Sequence, residues 1–125
     1  MAKETIRKRF DVSVSSSGEL VKGDFELDKN VTGITGALLT ADLEAKLYHR
    51  GTFRLLIGGE EIFPDGYHAK LLMSGLGVDP SNRYHFLNFD PGNGVVRLEV
   101  TDNTHPTEAF SAYTVSMYLQ LEVER

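Results

Sequence analysis

Cysteine and tryptophan are both absent from this chain of 125 residues, and proline occurs only four times. Without cysteine there is no disulfide framework, no thiolate nucleophile and no zinc–sulfur site. Long apolar runs are missing as well. Stretches such as Ala37-Leu38-Leu39 and Leu55-Leu56-Ile57 are short, whereas a membrane-spanning helix needs roughly 20 apolar residues. No membrane span is expected. Positive charge is in deficit, with thirteen Lys and Arg against eighteen Asp and Glu and a net charge of −5. An acidic body argues against specific nucleic-acid binding, which needs a basic face or stripe. What is present, 41% hydrophobic and 25% charged residues, is the composition of one globular domain spanning residues 1–125.

Charge is unevenly placed. Residues 1–10 carry Lys3, Arg7, Lys8 and Arg9 against Glu4 alone, net +3, which leaves −8 on the remaining 115 residues. This start reads either as a basic arm for an acidic partner or as an edge strand whose exposed positions are Arg7 and Arg9. No long apolar stretch follows its charges, so no secretory signal is expected there. These residues leave the location open, with the cytoplasm as the default expectation.

Period-2 alternation dominates, which marks strands with one buried face. At the C-terminal end Tyr113, Val115, Met117, Leu119, Leu121 and Val123 share one face, while Thr114, Ser116, Tyr118, Gln120, Glu122 and Glu124 share the other. Residues 5–14 repeat the pattern, with Ile6, Phe10, Val12 and Val14 inward and Arg7, Arg9 and Asp11 outward, ending in the turn Ser15-Ser16-Ser17-Gly18. Further strands are expected at 24–27 and at 31–40, the latter interrupted by Gly33 and Gly36. A hairpin over 52–63 should turn at Gly58-Gly59, a pair suited to positive φ. Pro64-Asp65-Gly66 reads as a second turn, followed by strands at 67–73 and 84–89 with turns at 74–77 and 79–82 between them. Pro91-Gly92-Asn93-Gly94 precedes a strand over 95–101, and 102–108 reads as a polar loop. One short helix is expected over 41–49, with Thr40 as its cap, and a strand over Leu47–Arg50 is the competing reading. Eight or nine strands with at most one helix predict an all-β fold: a two-sheet antiparallel β-sandwich, Greek-key or jelly-roll-like.

No motif names a reaction, and no enzyme is expected. His49, His68, His85 and His105 lack metal-ligand spacing, and no Walker loop or GxSxG elbow occurs. The loop carboxylates Asp65, Asp79, Asp90 and Asp102 suit calcium chemistry if they meet, but each also suits a turn. No cofactor and no metal are assigned. A carbohydrate platform would have to use Tyr48, Tyr67, Tyr84 or Tyr118 in place of tryptophan.

With chemistry absent, contact becomes the expected function. The outward face of residues 113–124 is mild and carries Tyr118, a composition suited to packing on another subunit. Ile62 and Phe63 lie beside tight turns and read either as a projecting apolar contact or as core anchors. The candidate interface residues are therefore Tyr118, Ile62, Phe63, Arg7 and Arg9.

The layout resembles small jelly-roll or β-sandwich virion proteins of bacteriophages: coat, vertex, decoration or spike subunits. The matching features are Lys3, Arg7, Lys8 and Arg9 as a basic arm, strands at 5–14 and 113–124, and an acidic cysteine-free body. The stretches Leu27-Asp28-Lys29-Asn30-Val31 and Glu61-Ile62-Phe63-Pro64 have the look of family motifs. That resemblance implies a homo-oligomer that also contacts other structural proteins and carries no catalytic residues. The alternative expectation is a ligand-binding module for carbohydrate or a cell-surface partner.

Overall fold

The computed structural model describes residues 3–73 and 84–124. Eight strands form in chain order: β1 (Lys3–Val14), β2 (Leu20–Glu26), β3 (Val31–Ala41), β4 (Gly51–Ile57), β5 (Glu60–His68), β6 (His85–Phe89), β7 (Val95–Asp102) and β8 (Tyr113–Glu124). A short helix, α1 (Glu44–Arg50), links β3 to β4. The strands make two antiparallel sheets of four, ordered β1-β8-β3-β6 and β2-β7-β4-β5.

One rule generates that order. β4 pairs with β5, β3 with β6, β2 with β7 and β1 with β8. The chain is thus a long hairpin, its tip at Gly58-Gly59, rolled up so that its rungs alternate between two sheets. Such rolling of a two-stranded ribbon is the jelly-roll. The fold class expected from the alternation is the one observed.

Burial follows the alternation closely. Val115, Met117, Leu119, Leu121 and Val123 of β8 meet Ile34, Ala37 and Leu39 of β3, and Phe53, Leu55, Ile57, Val96, Leu98 and Val100 of the second sheet close over them. The hairpin tip needs glycine for two reasons. Gly58 and Gly59 sit at φ +60° and +83°, the left-handed region a primed turn requires. A Cβ on Gly58 would also lie 2.9 Å from the Cα of Gly92 in the β6–β7 turn. Gly58 N–H donates to Val95 O at 2.9 Å, locking the two turns together.

Local expectations fail at several places. β2 begins at Leu20, earlier than expected, because Leu20 faces outward and Gly23 takes an inward position, which weakens the apolar alternation there. Pro64-Asp65-Gly66 does not reverse the chain. Phe53 pairs with Tyr67 and Leu55 with Phe63, so the extra residues form a bulge inside β5, with Gly66 at φ +83°. Residues 67–73 are not a strand. Tyr67 and His68 complete β5, and Ala69–Leu71 form a 3₁₀ turn that buries Ala69 and Leu72. The helix starts later than expected, since Ala41 still belongs to β3. Thr40 therefore does not cap it. Asp42 occupies the corner instead, its Oδ1 accepting from Leu43 N–H at 2.9 Å and from Thr114 N–H at 2.8 Å. The turns expected at 74–77 and 79–82 lie outside the described residues.

Candidate functional site

Two regions gather the charged and aromatic side chains: the outer face of the first sheet, and a buried charge node at one end of the sandwich. The outer face is built by register. Across β1, β8 and β3, one row reads Arg9–Tyr118–Leu38, the next Arg7–Gln120–Gly36, and another Asp11–Ser116–Thr40. Arg9 lies 3.1 Å from Asp11, and Tyr118, its rung partner, together with Asp11 raises its pKa. Arg7 donates through Nε and Nη2 to Gln120 Oε1, both at 3.3 Å, and its guanidinium lies 4.9 Å from the Tyr84 ring centroid. Tyr84 can lie there because Gly36 beneath it has no side chain: a Cβ at Gly36 would come within 3.1 Å of Tyr84 Cβ. Burial of that phenol pushes its pKa up. Gln120 Nε2 donates onward to Thr35 Oγ1 at 3.3 Å. The face thus presents hydroxyls, an amide, two tyrosines and Leu38, with arginines on one side.

The outer face of the second sheet is different in kind. Arg97 grips Asp24 at 2.8 and 3.2 Å, and Arg54 contacts Glu61 at 2.6 Å and Glu99 at 3.7 Å. These five charged side chains are engaged with one another. A shallow cavity of about 370 Å³ beside this network is lined by Asp24, Phe25, Leu56, Asn93, Val95 and Arg97.

At the end of the sandwich, Arg50 donates through Nε to Asp102 Oδ1 at 3.0 Å and through Nη2 to Oδ2 at 2.8 Å, with side chains 3% and 0% exposed. Tyr113 hydroxyl donates to Oδ1 at 2.9 Å and Gly18 N–H to Oδ2 at 3.0 Å. Arg50 also reaches Glu108 O at 2.8 Å and Ser17 Oγ at 3.0 Å, and its guanidinium lies 5.4 Å from the Phe110 ring centroid. Burial pushes the Asp102 pKa up, but the bonds from Arg50, Gly18 and Tyr113 outweigh it and hold the carboxyl below its ordinary value. Burial, then the adjacent carboxylate, raises Tyr113 far above the usual phenol range. No buried side-chain polar atom of the node lacks a partner, so it ties the β1–β2 turn, α1, β7, the 103–112 segment and β8 together and offers no group to a substrate.

The expected interface residues divide. Tyr118, Arg7 and Arg9 come together on the outer face of the first sheet. Phe63 is buried on the other sheet, its ring 5.3 Å from Phe53 and 5.0 Å from Tyr67, and Ile62 is half-buried against the same core. Core anchoring is what these two do within the chain.

Asp102 is the main correction. It reads as a loop carboxylate but is the last residue of β7 and the centre of the buried node, so it cannot join Asp90 in a calcium site. Asp90 caps its own turn, accepting from Gly92 N–H at 2.8 Å. Asp79 and the Asp65 side chain lie outside the description. Among the described residues no three His, Asp or Glu side chains are placed to share a metal ion. His49 and His105, far apart in sequence, do meet, with ring centroids 5.4 Å apart, and His105 Nδ1 accepts from Glu108 N–H at 3.0 Å. No spacing signal could have found that pair, or Arg50 with Asp102. Comparison with protein-family models, with curated proteins and with solved structures finds no match for this chain.

Proposed function

We propose that this protein is a non-enzymatic structural subunit that assembles with copies of itself and with other structural proteins, as a capsid, vertex or decoration component of a phage virion. The observation that carries the reading is the outer face of the first sheet, where Tyr118 and Leu38 stand in one row with Arg9; tyrosine and arginine are enriched where subunits pack while lysine and glutamate are depleted. The jelly-roll supports it, being an architecture that capsid subunits use.

Light scattering on a sizing column over a tenfold concentration range tests this. The wild type is expected at a fixed multiple of 13.9 kDa. Tyr118→Asp should reduce that mass without changing the far-ultraviolet circular dichroism. A 13.9 kDa monomer at every concentration would overturn the reading.

A second reading has its own observation. Tyr84, Arg7, Gln120 and Thr35 form a connected group around an aromatic ring, and a ring beside planar hydrogen-bonding groups is suited to holding a sugar. A monomeric wild type that binds an oligosaccharide, with binding lost in Tyr84→Ala, would favour that module instead.

A further inference from the structure

We propose that two copies of this chain associate through the open edge of β1, antiparallel and two-fold symmetric about Phe10, merging their first sheets into one. This rests on the self-assembly reading and specifies one of its contacts.

The sandwich has four edge strands, β1, β6, β2 and β5. Three of them are poor templates for another strand. β6 has five residues and a register shift against β3, β5 is bulged around Pro64, and β2 has seven residues with Gly23 at its centre. Short, bulged or proline-bearing edges are the usual means by which sheets avoid unwanted pairing. β1 is neither short, bulged nor proline-bearing, and the one inward-facing charge near its edge is Lys8. It runs for twelve residues without glycine or proline and pairs with β8 in twelve consecutive rungs without a shift. Among the described residues no strand pairs with its other side.

Charge selects both the occupant and the register. From Thr5 to Val14 the odd-numbered residues of β1 face outward and the even-numbered ones inward. A two-fold antiparallel pairing keeps both outer faces on the same side only when it is centred on a residue, because a one-residue slip exchanges the faces. Six such registers, centred on residues 6 to 11, pair seven or more residues of the twelve. Centring on Ile6 sets Lys3 against the partner's Arg9. Centring on Arg7, Lys8, Arg9 or Asp11 sets that residue against its own copy. Like charges directly opposite are unfavourable. The register centred on Phe10 alone avoids every such clash. It places Arg9 against the partner's Asp11 and, by symmetry, Asp11 against the partner's Arg9, with Arg7 opposite the partner's Ser13. Both charges stand on the outer face at 58% and 39% side-chain exposure, ready to be shared. A second copy of this chain supplies its own complement, and such a self-complementary patch is what a two-fold interface requires.

Charge exchange tests the proposal. Arg9→Asp and Asp11→Arg are prepared separately, and their masses are measured by light scattering alone and after mixing in equal amounts. The wild type is expected to assemble. Each variant alone should lose the two-fold contact and drop to half the wild-type mass or less. The mixture should recover the wild-type mass, because each strand then faces only opposite charge, and recovery also shows that both variants are folded. If both variants keep the wild-type mass, assembly stands and the β1 contact is overturned. If both dissociate and the mixture does not recover, this register is overturned. If the wild type itself is a monomer, the assembly reading and this contact fail together.

Discussion

Arg50–Asp102 and Arg97–Asp24 are both two-pronged guanidinium–carboxylate pairs, with contacts of 3.0 and 2.8 Å in the first and 2.8 and 3.2 Å in the second. Their surroundings are opposite. The first pair has side chains 3% and 0% exposed, and the second 47% and 56%. In the buried pair, removing one partner strands a charge away from water. In the exposed pair water replaces whichever partner is lost. Geometry alone therefore says little about what an ion pair contributes; the solvent around it decides. The buried pair also joins five parts of the chain, whereas the exposed one ties two neighbouring strands already in register.

The largest expected effect is at the buried carboxylate. Asp102→Ala should destabilise the fold by about 3–5 kcal/mol, since it leaves the Arg50 guanidinium uncompensated. Denaturant unfolding followed by circular dichroism measures this, and a loss under 1 kcal/mol would break the comparison.

Acid gives a smaller, sharper test. Asp102 and Asp24 both have pKa values held below the ordinary 3.8, Asp102 against the opposing effect of burial and Asp24 first by its hydrogen bonds from Arg97. A carboxyl whose pKa is depressed on folding contributes stability that is fully present above its unfolded value and lost as pH falls through its folded value. Stability should accordingly decline below about pH 4. In Asp24→Asn the decline should persist almost unchanged, and it should resist added salt, because the buried pair is poorly screened. A decline abolished by Asp24→Asn would reverse the ranking of the two pairs.

The smallest effect belongs to Asp24→Ala at neutral pH. Its unfolding midpoint should be barely separable from that of the wild type, with any difference fading at 1 M salt.

Legibility in the sequence follows the range of the interaction. β8 could be read residue by residue, because the strict alternation from Tyr113 to Glu124 is a local property and the sheet simply buried one side of it. β1 was legible for the same reason, apart from Lys8, which occupies an inward position near the open edge. The bulge at Pro64-Asp65-Gly66 was not, since a proline–glycine stretch fits a reversal and a bulge equally well until the partner strand is known. Phe63 lay beside that ambiguity, and only the pairing of β4 with β5 turned it into the core. Of the candidate interface, Tyr118, Arg7 and Arg9 were visible singly as outward positions. Their meeting in adjacent rows with Tyr84 and Leu38 was not, because Tyr84 arrives from a distant segment through the space that Gly36 leaves.

By itself, then, the sequence determined that this chain builds strands, which side of each strand is apolar, and that its glycine-rich tip can reverse direction. These follow from side-chain alternation and backbone stereochemistry within a few residues. The tertiary structure alone decided that the strands roll into two sheets, that Tyr118 comes to lie beside Leu38, and that Asp102 is buried against Arg50. Those outcomes depend on residues far apart in the chain, 52 positions in the last case. Whether a carboxylate caps a loop or anchors a core is set by what folds over it, and no local pattern encodes that.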